Sequence, residues 1–69
     1  MALNEWQHDF LRHTIESGGS TGDIPGGIVN EDLVGLIKVG YVQAHDVAGT
    51  VRYEITEPGR AAYKATLGK

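Results

Sequence analysis

Apolar residues open the chain at helical rather than strand spacing. At 3.6 residues per turn, Leu3, Trp6, Phe10, Leu11, Thr14 and Ile15 share one broad face, with Glu5, His8, Arg12 and Glu16 on the other. The pattern predicts an amphipathic helix over Leu3 to Ser17, capped by Asn4 or Ala2. The Gly18-Gly19 pair ends it, since glycine accepts the left-handed conformation at a helix C-terminus. From Gly18 to Gly27 the periodicity stops: five glycines and a proline in ten residues cannot hold a helix. This stretch reads as a mobile loop, with Ile24 as its anchor to the core.

A second helix is expected after Asn30, a good N-cap, with Glu31 and Asp32 facing the positive end of the helix dipole. Leu33, Val34, Leu36 and Ile37 make its apolar stripe, Lys38 suits the last turn, and Gly40 stops it. Period-2 alternation then predicts a hairpin of Tyr41 to His45 and Thr50 to Ile55, joined by Asp46-Val47-Ala48-Gly49. A further short strand near Ile28-Val29 would make the sheet three-stranded. Thr56 is placed to cap a last helix in which Pro58 falls in the tolerated first turn. Ala61, Ala62 and Ala65 give that helix a small-residue face. Trp6, Phe10, Leu36, Ile37, Val42 and Ile55 are the expected core, Tyr41 is placed with it, and one of Tyr53 and Tyr63 is a candidate for the surface.

Length changes this picture by limiting it. Sixty-nine residues make one domain, spanning 1–69. A chain of this size buries only about 60% of the surface its unfolded form exposes, so support from oligomerisation is a natural expectation. The chain has no cysteine, which excludes disulfides and the strongest ligands of a structural zinc. An apolar fraction of 41% suits a folded core rather than a disordered chain. The N-terminus lacks the basic and apolar regions of a secretion signal, and no apolar run is long enough for a bilayer; the expectation is a soluble, cytoplasmic protein with no membrane partner.

The segment Leu33-Val34-Gly35-Leu36-Ile37-Lys38-Val39-Gly40-Tyr41-Val42 resembles the end of a recognition helix and the first wing strand of winged helix-turn-helix proteins. Tyr53-Glu54-Ile55-Thr56-Glu57-Pro58-Gly59-Arg60 resembles their second wing strand and the start of the next helix. Together these segments cover residues 33 to 60. The resemblance implies an α+β, winged-helix-like domain of three helices and a two- or three-stranded wing. It also implies a transcriptional regulator that binds double-stranded DNA, often as a homodimer. The chain departs from the family pattern in one respect: the glycine-rich stretch stands where the supporting helix of the helix-turn-helix belongs.

On that resemblance, Asn30 and Lys38 of the second helix, Thr50 and Arg52 of the wing, and Arg60 and Lys64 of the last helix are the candidate DNA contacts. Charge pulls the other way. The net charge is −3, whereas duplex binders draw most of their affinity from basic residues at phosphates. Glu31 and Asp32 at the helix start would repel phosphates, and their helix-dipole role explains them without DNA. A protein-interaction module that keeps the frame without reading DNA is the alternative. No enzyme, cofactor or metal site is expected. His8 and His13 are five residues apart and diverge, no HExxH is present, and Ser17, Ser20, Thr21 and Asp23 have no histidine at triad spacing. The glycine stretch also lacks the Gly-Lys-Ser/Thr ending of a phosphate loop.

Overall fold

The computed structural model describes residues 2–67, so residues 1, 68 and 69 of the span read as one domain lie outside the description. Helix α1 (Glu5–Glu16) begins at a capping box. The Asn4 side chain accepts from the Gln7 N–H at 2.8 Å, and Gln7 Oε1 accepts from the Asn4 N–H at 3.1 Å. Two donors left over by helix geometry are thereby satisfied. The same two side chains reach the next helix, α2 (Glu31–Lys38). Asn4 Nδ2 donates to Asp32 Oδ1 at 2.8 Å and Gln7 Nε2 to the Asp32 carbonyl at 3.0 Å. Gln7 is buried, and this polar bridge ties the starts of two helices together.

Strands β2 (Val42–Val47) and β3 (Thr50–Ile55) pair antiparallel across Ala48-Gly49, where both residues have positive φ, 52° and 86°. This is the twist a two-residue hairpin turn requires. The turn is thus shorter than the expected Asp46 to Gly49 connection, and β2 continues past His45 to Val47.

The stretch from Gly18 to Gly27 is not a loop. It contains β1 (Ser20–Pro25), which pairs antiparallel with β3 and makes the sheet order β1-β3-β2. The third strand therefore lies here and not at Ile28-Val29. Its poor strand composition is offset by position: β3 has a free edge, and β1 supplies the partners. The register shifts between Ser20 and Asp23, where Gly22 takes φ 77°. At the shift, Thr21 Oγ1 accepts the Tyr53 N–H at 3.2 Å, a side-chain oxygen standing in for a ladder carbonyl. Pro25 ends the strand, an edge position that tolerates its missing N–H. Ile24 packs against the core as expected.

Helix α3 (Glu57–Leu67) is capped by Thr56, whose hydroxyl accepts the Gly59 N–H at 3.1 Å and donates to the Gly40 carbonyl. The Thr56 N–H also donates to the Tyr41 carbonyl at 3.0 Å, so the α3 cap closes on the exit of α2. Gly59 is buried at this junction; a Cβ on it would collide with the Tyr41 carbonyl oxygen.

The result is an α+β domain of three helices and one three-stranded antiparallel sheet. Leu11, Leu33, Leu36, Val42 and Tyr53 form the buried core, surrounded by Trp6, Phe10, Tyr41, Ile55 and other half-buried residues. One expectation is corrected. Ile37 is exposed, because it flanks the Leu33–Leu36 side of α2 that meets α1 and β2. Of the two tyrosines left open, Tyr53 belongs to the core, since it alternates with Arg52 and Glu54 and takes the inner face of β3. Tyr63 is half-buried and stacks near His8, ring centroids 4.8 Å apart, linking α3 to α1.

Candidate interaction surface

An eight-residue helix with apolar residues at four positions cannot turn all of them inward. On α2, Leu33 and Leu36 are buried, which sends Glu31, Val34, Gly35 and Lys38 to the opposite side. Val34 is 46% exposed, and Val29, just before the helix, is 98% exposed. With Asn30, these residues line an open groove of about 480 Å³ along the outer face of the helix. The groove is apolar at Val29 and Val34 and carries one carboxylate and one ammonium at its two ends.

The residues expected to contact DNA are distributed over this frame rather than gathered. Asn30 is the N-cap of α2, and its side-chain oxygen accepts from the Asp32 N–H at 2.7 Å and the Leu33 N–H at 3.3 Å. Lys38 is exposed at the other end of the same helix. The Thr50 hydroxyl donates to the Val47 carbonyl at 2.9 Å, inside the hairpin turn.

Arg52 lies on the outer face of the sheet between two carboxylates. Its Nε donates to Asp23 Oδ1 at 3.2 Å, and Nη1 is 3.9 Å from Glu54 Oε1. His45 Nε2 stands 3.7 Å from the other Glu54 oxygen. One guanidinium facing two carboxylates leaves this patch without positive charge to offer an anion. The pairing arises because β1 brings Asp23 opposite Arg52 in the register. Arg60 sits on α3 with its guanidinium against Gly19: a Cβ there would come within 2.6 Å of Nη2. That places the cation beside the C-terminal end of α1, where the helix dipole is negative. Lys64 is exposed further along α3.

Val34 escaped notice in the sequence because it reads as part of the inward apolar stripe of α2, and Val29 because it reads as part of a short strand. The available signal was the breadth of the α2 apolar stripe, wider than the thin core of so short a chain can cover. Among the described residues, no group of three or more His, Asp or Glu side chains is arranged to hold a metal ion. No helix among them is long and apolar enough to cross a membrane. Comparison with family models, with curated proteins and with solved structures finds no match for this chain.

Proposed function

We propose that this domain is a protein-interaction module on a winged-helix-like frame, with the outer face of α2 as its contact surface. The order helix, strand, helix, hairpin, helix supports that frame, with α2 in the place of the recognition helix. The observation that carries the reading is the apolar groove of Val29 and Val34 on that helix, where a DNA reader would present polar and basic groups. Arg52, the central cation of the wing, is already matched to Asp23 and Glu54.

Duplex DNA binding, and with it transcriptional regulation, is the second reading. It draws support from Lys38, Arg60 and Lys64, which enter no ion pair with the described residues.

Two titrations followed by backbone amide shifts separate the readings. Isopropanol, a small amphiphilic probe that concentrates on apolar docking faces, is expected to shift residues 29–38 ahead of all others. Mixed-sequence duplex DNA at low salt is expected to leave the spectrum unchanged. Salt-reversible shifts with DNA across α2 and the hairpin would replace the module by the regulator, because phosphate-driven binding weakens steeply with salt.

A further inference from the structure

The outer face of α2 is complementary to itself, and from this we infer that its occupant is a second copy of the same chain. The inference rests on the interaction-module reading and names its partner. Glu31 and Lys38 are seven residues apart, two turns of helix, and lie on the same outward side. A two-fold axis that runs between two copies of α2, perpendicular to both and level with the midpoint of Val34 and Gly35, brings them together antiparallel. Glu31 of each copy then faces Lys38 of the other, and the two ion pairs form at opposite ends of the contact.

The centre fits the same operation. Val34 meets Val34 of the second copy across the axis on one flank of the helix pair, and Gly35 meets Gly35 across it on the other flank. The absence of a side chain at Gly35 lets the two backbones approach, and Val29 extends the apolar contact beyond the helix start. Each patch residue contacts a member of the same patch, as a closed two-fold interface requires. Parallel helices would set Glu31 against Glu31 and Lys38 against Lys38, so charge selects the antiparallel arrangement.

The size of the contact sets its strength. An eight-residue helix is about 12 Å long, so the face is smaller than the roughly 800 Å² per partner of a standard stable interface. The dimer is therefore weak, with a dissociation constant on the order of 100 μM, and its formation follows concentration.

A dilution series of the full chain tests this, with translational diffusion and amide shifts measured between about 20 μM and about 2 mM, bracketing that constant. Diffusion is expected to slow with concentration, with shifts concentrated at residues 29–38. Glu31→Lys makes the face wholly positive and Lys38→Glu makes it wholly negative. Each variant alone is expected to lose at least about 10-fold in self-association, as two attractive pairs become repulsive. Mixed in equal amounts, the two variants regain association, since every charge of one then meets the opposite charge on the other.

Unchanged Tyr53 and Leu11 amide shifts, both in the core away from the substituted face, show that each variant remains folded. A chain that stays monomeric to the top of the series overturns the inference. So does a dimer that survives both single substitutions, which would place the contact elsewhere, for instance on the β2 edge. If isopropanol still gathers on α2 in a monomeric protein, the module reading stands and only the second copy is withdrawn.

Discussion

The phenol of Tyr53 is hydrogen-bonded to both backbone groups of Ile28, twenty-five residues away in sequence. Its oxygen accepts the Ile28 N–H at 2.9 Å and donates to the Ile28 carbonyl at 3.3 Å. One side chain of the central strand thus fixes the segment that leads from β1 into α2, and with it the position of Val29 and the groove. Gly27 belongs to the same arrangement: it has φ 72°, and a Cβ on it would lie 2.9 Å from the Tyr53 oxygen.

Removing that hydroxyl is the direct test. Tyr53→Phe keeps the ring in the core and leaves two Ile28 groups short of a partner, at a loss of about 1–3 kcal/mol. A midpoint of denaturation unchanged from the parent would show that water replaces the phenol without loss. The amide of Ile28 is expected to exchange faster in the variant, ahead of amides in α3.

Thr21 makes a second local prediction. Its hydroxyl oxygen accepts the Tyr53 N–H where the β1–β3 register shifts. Thr21→Val keeps the side-chain shape and deletes the acceptor, so stability falls by about 1 kcal/mol and the Tyr53 amide loses protection. Thr21→Ser retains the oxygen and should retain the protection; loss of protection in both variants would assign the effect to shape instead.

Leu36 and Ile37 are adjacent and both apolar, yet only Leu36 is fully buried, whereas Ile37 is 36% exposed. Leu36→Ala should destabilise by roughly 2–5 kcal/mol, much of what a small domain has in total. Ile37→Ala should lose clearly less than that. Equal losses in thermal or denaturant melts would place Ile37 in the core after all.

At Gly59 the expected failure is steric. Any Cβ there meets the Tyr41 carbonyl oxygen, which is backbone and cannot rotate away. Gly59→Ala is therefore destabilising although alanine favours helix, with an effect of at least about 1 kcal/mol, the reverse of the gain that propensity alone predicts. Ala61→Gly, on the exposed side of the same helix, should lose only the propensity difference of about 1 kcal/mol. A stabilised Gly59→Ala would show that α3 can shift away from β2.

Helix and hairpin were legible because their determinants are local. Asn4, Asn30 and Thr56 cap the three helices from the sequence positions next to them, and Gly40 takes φ 85° where α2 ends. The alternation from Thr50 to Ile55 marked β3, although it left open that Tyr53 is the residue that points inward. None of these features depends on residues far along the chain.

By itself, the sequence determined three helices, a hairpin and an acidic balance, since capping, periodicity and charge are properties of neighbouring residues or of composition. Only the tertiary structure decided that the glycine-rich stretch is a strand, because β1 exists through the ladder partners and the Thr21–Tyr53 contact that β3 provides. The same holds for the surface. Arg52 reads as a spare cation until β1 sets Asp23 beside it, and Val34 reads as one more member of the α2 apolar stripe until α1 and β2 have occupied the Leu33–Leu36 side of that helix. Pairing across the sheet and competition for one small core are long-range events, and a pattern read along the chain does not contain them.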